Sequence, residues 1–242
     1  MVVKKAIKWC FVCLLFLALL WSVVPKNPLQ RALPRQYQSH WKQIEGRYSR
    51  VYYQNEKQTA QMIQRQADTY YTMIATDFGW QRTEKIDMIL FETKQMFVAS
   101  FFYDGALPKG DYYKGIIAVV SPQLWDMQKQ GWERTDYFLE NGPVVHEMIH
   151  FAVEEKTKGS CPRFLTEGIA LYYEKKYTGY LWSIPEEEKQ IPVTKANLEK
   201  EFYHMDTGLF YWKSYEWVLK FVECYGEETL QKALEQKGEK AT

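Results

Sequence analysis

The chain has 242 residues, of which 46% are hydrophobic and 25% are charged. This length and apolar content are enough for one domain with a sizeable core. The formal net charge is only +1, so the composition lacks the basic excess that is typical of nucleic-acid-binding proteins. We therefore expect no nucleic-acid partner.

The N-terminal segment, residues 1–25, differs from the rest of the chain. Lys4, Lys5 and Lys8 precede an uncharged and nearly all apolar run over residues 9–24. At about 1.5 Å per helical residue, this run with its flanks is close to the thickness of a bilayer. The early lysines predict an N-terminus in the cytoplasm and a single-pass cell-membrane anchor whose following domain is extracytoplasmic. A cleaved signal peptide, which would give a secreted form, is the alternative.

The remaining chain divides into a linker and a folded domain. Residues 26–45 carry prolines and arginines and predict a linker, and residues 46–242 predict one domain. Within that domain, alternating or continuous apolar runs predict strands over 48–54, 85–91 and 115–121. Helical spacing of apolar residues predicts helices over 56–78, 93–101, 194–201, 211–225 and 229–234. The Gly- and Pro-containing segment 104–114 predicts a loop.

A short motif near the middle of the chain carries the strongest chemical signal. Residues 146–150 read His-Glu-Met-Ile-His. On a helix, residues four apart share a face, so the imidazoles of His146 and His150 point at one place. Two neutral imidazoles suit Zn²⁺, and Glu147 can reach a zinc-bound water without ligating the metal itself. The motif therefore predicts a zinc site in which Glu147 is the general base.

The residues around the motif favour a helix. Apolar residues recur through the motif, and charged residues follow it. We predict a helix over 143–156, with Pro143 in its first turn, where a missing N–H costs nothing. Asn141 or Gly142 would cap this helix, and Gly159 would end it.

A catalytic zinc site needs a third protein ligand. Lys156 stands six residues after His150, which argues against the extended motif with three histidines. The segment 164–174 has apolar residues at helical spacing with Glu167 among them, and a buried carboxylate is costly unless it is paired or bound to metal. Glu167 is therefore the candidate third ligand. Gly168 costs about 1 kcal/mol relative to Ala inside a helix, which a close helix–helix approach beside the metal would explain.

The two segments together resemble a known family. His-Glu-x-x-His followed by Leu-x-Glu-Gly-x-Ala-x-Tyr looks like the gluzincin metallopeptidases, the thermolysin- and aminopeptidase-like group, and the closer match is to the bacterial peptidase MA-like family. The resemblance covers roughly residues 48–235. It implies that His146, His150 and Glu167 are zinc ligands and that Glu147 is the general base. It also implies an α+β, zincin-like fold with a small mixed sheet, an active-site helix and a mainly helical C-terminal part, here preceded by one N-terminal transmembrane helix.

The resemblance implies two further features of the site. In the aminopeptidase-like branch a tyrosine downstream of the third ligand donates a hydrogen bond to the oxyanion. Tyr211 is the closest match by position, Tyr215 and His204 are rivals, and ordinary packing is the alternative for each. In gluzincins an edge strand beside the active site pairs with the extended substrate. The strand predicted over 115–121 is our candidate for that edge, and a plain core strand is the alternative.

Three further side chains have open assignments. Cys161 and Cys224 would both lie outside the membrane, where they form a disulfide or remain two free buried thiols. Cys161 is also a possible metal ligand. Glu174 follows Glu167 by seven residues and therefore shares its helix face. Glu174 either orients a ligating histidine or is solvated at the end of its helix.

These observations predict a membrane-anchored, extracytoplasmic zinc metallopeptidase that hydrolyses peptide bonds in a peptide or protein substrate. The alternative is a non-catalytic, zinc-binding cell-surface interaction module with a peptidase-like fold. A structural zinc site of that kind would be closed by a fourth protein ligand such as Cys161. In a third interpretation the motif is accidental, and Glu167 would then not approach the two histidines.

Overall fold

The computed structural model describes residues 27–101, 105–125, 131–200 and 205–241. Its strands are β1 (Lys42–Glu45), β2 (Ser49–Tyr53), β3 (Ile86–Phe91), β4 (Gly110–Tyr113) and β5 (Ile116–Val120). Its helices are α1 (Pro28–Ala32), α2 (Lys57–Phe78), α3 (Lys94–Phe101), α4 (Gly131–Asn141), α5 (Val144–Thr157), α6 (Arg163–Thr178), α7 (Glu186–Lys189), α8 (Lys195–Lys200), α9 (Thr207–Tyr225) and α10 (Glu227–Lys240).

The five strands form one mixed sheet in the order β1-β2-β3-β5-β4. The central strands β2, β3 and β5 are parallel, and the outer strands β1 and β4 are antiparallel to their neighbours. Parallel neighbours require a crossover connection. Helix α2 makes the crossover from β2 to β3, and α3 with β4 leads from β3 to β5. The site helices α5 and α6 follow this sheet in the chain.

Successive strand residues point to opposite faces of the sheet. Each face is covered by its own hydrophobic core. One set of strand residues joins the larger core, which includes residues of α2, α5, α6 and α9: Val51, Tyr53, Met88, Leu90, Ile117 and Val119. The alternate set joins a smaller core with residues of α1 and α3: Tyr52, Ile89, Phe91, Ile116, Ala118 and Val120. The larger core anchors the helices that carry the predicted site.

The fold class predicted from the sequence is wrong. The prediction was an α+β, zincin-like fold preceded by a transmembrane helix, whereas the described residues form a mixed α/β fold that is mostly helical around a five-stranded sheet. The order strand, helix, strand favours a parallel pair, and β2 and β3 are parallel, so the α+β class did not use this signal. No helix in the described ranges is both long and apolar enough to span a bilayer. The anchor predicted over 1–25 lies outside the described residues.

The folded part begins earlier than the sequence predicted. Residues 26–45 were assigned to a linker, but β1 lies within them and pairs with β2. Leu29, Ala32 and Leu33 are buried in the smaller core. Prolines and polar residues surround these short apolar stretches, so composition masked their packing. The predicted linker is therefore part of the folded unit from Pro28 onward.

Candidate metal centre

A cleft with a volume of about 440 Å³ lies between the edge strand β4, helix α5 and the start of helix α6. The predicted site residues lie in this one cleft. Its lining consists of Pro108, Gly110, Asp111, Tyr112, His146, Glu147, His150, Val153, Glu154, Thr157, Gly159, Cys161, Arg163, Thr166, Glu167 and Tyr211.

Helix α5 carries the two histidines. It spans Val144–Thr157, within one residue of the predicted bounds at each end. The predicted cap is wrong, because Pro143 occupies the N-cap position and no side chain caps this end. The helix ends at Lys158 and Gly159, which both adopt left-handed backbone conformations. The four-residue spacing brings His146 Nε2 to 3.0 Å from His150 Nε2.

Helix α6 supplies the carboxylate. Glu167 is 5% exposed, and its Oε2 lies 3.2 Å from His150 Nε2 and 3.4 Å from His146 Nε2. In spite of these contacts, the geometry leaves Glu167 Oε2 as a buried acceptor without a hydrogen-bond partner among the described residues. The interpretation in which Glu167 fails to approach the histidines therefore does not describe this structure.

The other ring nitrogen of each histidine has its own partner. His146 Nδ1 lies 3.1 Å from Glu174 Oε2, and His150 Nδ1 lies 3.1 Å from Thr166 Oγ1. An ionised carboxylate only accepts hydrogen bonds, so His146 donates its Nδ1–H to Glu174. The same assignment for His150 makes the Thr166 hydroxyl the acceptor. Both Nε2 atoms then present lone pairs toward Glu167.

This arrangement of lone pairs fits a metal ion. With this assignment, two lone-pair nitrogens and a carboxylate oxygen lie 3.0–3.4 Å apart, and either a proton or a metal cation among them removes their mutual repulsion. Ligands placed tetrahedrally at about 2.0–2.1 Å from zinc are about 3.3 Å apart, close to the separations found here. His146, His150 and Glu167 thus form a group that could bind a metal ion, with ligand atoms all within 4.8 Å of one another.

Burial and charge set the protonation of the two glutamates in opposite directions. Burial raises the pKa of Glu147 well above its usual range, and Asp111, Glu167 and Glu174 add to this effect against the opposing influence of His146. Burial would also raise the pKa of Glu167, but His150 and His146 outweigh it and lower that pKa. Glu167 is therefore held as the anion that a metal requires, and Glu147 has a greater affinity for a proton.

A close approach of two helices brings Tyr211 into the site. A Cβ atom added at Gly168 would lie 2.3 Å from the backbone oxygen of Ser214, so only glycine permits this approach of α6 to α9. This agrees with the role predicted for Gly168. Tyr211, on the first half of α9, lines the same cleft as Glu147 and Glu167. Burial and the charge of Glu167 raise the pKa of Tyr211, which keeps its hydroxyl protonated.

Tyr215, one of the two rivals of Tyr211, does not line the cleft. Tyr215 is 2% exposed, and its hydroxyl accepts a hydrogen bond from Lys175 at 3.0 Å. His204 lies outside the described residues. Tyr211 is thus the candidate that the structure brings to the predicted ligands.

The strand predicted over 115–121 as the sheet edge beside the site is not an edge strand. Strand β5 lies between β3 and β4, all five of its residues are buried, and the core-strand alternative is correct. The edge beside the site is β4, which was predicted as part of a loop. Gly110 and Pro108 suggested a turn, but Gly110 permits close packing, since an added Cβ would lie 2.6 Å from Pro143 Cβ.

Neither Cys161 nor Cys224 is placed as the fourth protein ligand that a structural zinc site would require. Cys161 and Cys224 are free thiols, Cys161 half-buried and Cys224 exposed. Cys161 lines the cleft but does not belong to the possible metal-binding group in the described part of the chain. The fourth protein ligand that the interaction-module alternative requires is therefore not supplied by Cys161.

Sequence reasoning missed several polar residues of the cleft, among them Asp111, Arg163 and Thr166. Two of them had a usable signal. Arg163 and Thr166 stand four and one residues before Glu167, and the first of these spacings places Arg163 on the ligand's helix face. Asp111 had no such signal, because it lies on the strand that was predicted as a loop.

Comparisons of the chain with known protein families, curated proteins and solved structures yield no match. The resemblance to gluzincins therefore depends on the two motifs alone.

Proposed function

We propose that this chain is a zinc-dependent peptidase in which His146, His150 and Glu167 hold the metal. The observation that carries the proposal is the convergence of both Nε2 atoms on Glu167 Oε2, with buried Glu147 beside them in an open cleft. Two imidazoles and one carboxylate are a ligand set of catalytic zinc sites, which keep a further position open. A zinc ion held there would supply a Lewis acid that lowers the pKa of water and polarises a carbonyl group.

Glu147 is the proposed general base. Its carboxylate accepts a proton from the attacking water and delivers that proton to the leaving amine. Its place in the cleft that the proposed ligands line suits both steps, since a general base must lie within hydrogen-bond reach of the proton that it moves. Burial at 6% exposure separates this carboxylate from competing bulk water.

Tyr211 is the proposed donor to the carbonyl oxygen of the scissile bond. Its phenol stays protonated because burial raises its pKa, and it faces the cleft that holds Glu147. A fixed donor aimed at an oxygen that gains negative charge stabilises the transition state more than the ground state.

The edge strand β4 favours a peptide substrate over a compact small molecule. β4 ends the sheet, and its residues Gly110, Asp111 and Tyr112 line the cleft beside the proposed metal ligands. An extended peptide can add to such an edge through main-chain hydrogen bonds. This geometry would place one peptide bond of the added strand next to Glu147.

The first test replaces the general base. We expect Glu147→Gln to retain zinc and to lose about 10²- to 10⁴-fold in the rate of peptide hydrolysis, because the amide cannot accept the proton. The measurement is cleavage of a fluorogenic peptide library, together with metal analysis of the same sample. Glu155→Gln is the matched control, since Glu155 lies on the same helix but pairs with Arg82 outside the cleft.

Two results would contradict the proposal. Hydrolysis that survives in Glu147→Gln would remove this residue from the mechanism. A folded wild-type protein that binds zinc and cleaves no peptide would instead favour a zinc-binding interaction module.

A further inference from the structure

The N-terminal end of α6 forms one wall of the cleft. Arg163 is the first residue of this helix, its side chain is 54% exposed, and it lines the cleft together with Tyr211. We infer that Arg163, with the Tyr211 hydroxyl beside it, forms a subsite for a substrate carboxylate adjacent to the bond that is cut. The inference rests on the proposed peptidase function and adds a substrate class to it.

The position of Arg163 ties this subsite to the reaction centre. Its Nε lies 3.7 Å from Glu167 Oε1, whereas the other oxygen of that carboxylate faces the two imidazoles. A group held by Arg163 therefore lies beside a proposed metal ligand. One extended residue spans about 3.3–3.6 Å, so the bound carboxylate belongs to a residue that flanks the scissile bond.

The chemistry of this helix end selects an anion. A guanidinium is a cation whose planar donors match a carboxylate with two parallel hydrogen bonds. The N-terminus of α6 adds a partial positive charge from aligned peptide dipoles. Its first turn contains no acidic residue, and no side chain caps it. Both features favour a negative group supplied from outside the helix.

The rest of the cleft disfavours an anion. Glu154 on α5 lines the same cleft and would repel a substrate carboxylate. Asp111 on β4 also lines the cleft and interacts with the charge of Arg163. Arg163 also acts on Tyr211, where it opposes the dominant effect of burial on the pKa of the phenol. The guanidinium and the phenol are thus neighbouring donors, and the α6 end is where a carboxylate is accommodated.

The test compares matched pairs of peptides on the full-length, zinc-loaded protein. Each pair carries Glu or its isosteric amide Gln at one position flanking the cleaved bond. A second series compares a free C-terminal carboxylate with a C-terminal amide. The ratio of kcat/KM within each pair is measured for wild type, Arg163→Gln and Arg163→Lys. The affinity of the same labelled peptides for the Glu147→Gln protein, with and without Arg163→Gln, provides a readout that requires no turnover.

We expect wild type to prefer one carboxylate peptide over its amide by about tenfold, as for a charge-assisted pair of hydrogen bonds. Arg163→Gln should reduce this ratio to about one, and Arg163→Lys should retain part of it because the charge remains without the planar fork. The series that shows the preference identifies the source as a side chain or as the C-terminus.

Two outcomes would overturn the inference. One is a wild type that shows no preference within any pair, in both cleavage and binding, and the other is a preference that persists in Arg163→Gln. If no peptide is cleaved at all, the proposed peptidase function fails, and the binding ratios alone decide whether the subsite exists. Metal analysis and the unfolding midpoint of each variant separate loss of the subsite from loss of the fold.

Discussion

Two hydrogen bonds decide which nitrogen of each histidine faces the cleft. Glu174 holds His146 through Nδ1, and Thr166 holds His150 in the same way. These partners orient the rings and increase the electron density available at Nε2. Both partners lie on α6, which also carries Glu167, so a single helix provides one proposed ligand and orients the other two.

At the residue scale we expect Glu174→Gln to weaken zinc binding about 10- to 100-fold, as for other residues that orient a ligating histidine. The amide can still accept from His146 Nδ1 but lacks the negative charge. The measurement is a zinc titration against a competing chelator. Glu228→Gln is the control. The Glu228 side chain is 83% exposed and pairs with Lys232, and both residues lie on α10 rather than on α6. Equal affinities for wild type and Glu174→Gln would show that Glu174 does not support the metal site.

At the scale of elements, the site depends on how closely α6 and α9 approach. Gly168 faces the Ser214 carbonyl and the Val218 side chain, and an added Cβ would meet both at 2.3–2.7 Å. Because Gly168 is adjacent to Glu167, a displacement of α6 would move the carboxylate relative to the histidines on α5. It would also move Tyr211, which is carried by α9.

Gly168→Ala tests this packing through the sign of its effect. In an open helix the change would stabilise the protein by up to about 1 kcal/mol. Here we expect it to destabilise the protein by about 1–3 kcal/mol, as for other insertions into a packed interior. Thermal or denaturant unfolding measures the change. A raised unfolding midpoint would show that α6 and α9 are farther apart than described.

At the scale of the whole molecule, helices and central strands were predictable from the sequence, and the two edge strands were not. Helix α2 and its end at Gly79, and the face shared by His146 and His150, depend on short-range periodicity. Strands β1 and β4 have four residues each and lie at the two edges of the sheet, where only half of the backbone pairs and burial is partial. Their sequences therefore lack a clear alternation. The fold class failed for a different reason, since the predicted order strand, helix, strand already favours the parallel pairing of β2 with β3 and the α+β class did not use it.

The early boundary of the folded part gives a prediction for truncated chains. A chain that begins at residue 46 should be less stable than one that begins at residue 27, because it lacks β1 and the buried Leu29 and Leu33. Each leucine contributes about 1.5–3 kcal/mol when fully buried. Denaturant unfolding of the two chains measures the difference. Equal midpoints would mean that residues 27–45 do not pack as described.

The central claim is that His146, His150 and Glu167 hold one zinc ion, and the most direct test is the metal content of the purified full chain for wild type and for Glu167→Gln. The account predicts one zinc per chain in wild type, and loss or strong weakening in the variant, whose amide removes the anionic ligand without changing its shape. Native mass spectrometry or elemental analysis gives the stoichiometry, and circular dichroism shows that both proteins are folded. A folded wild type without zinc, or a variant that binds zinc as tightly as wild type, would contradict the account.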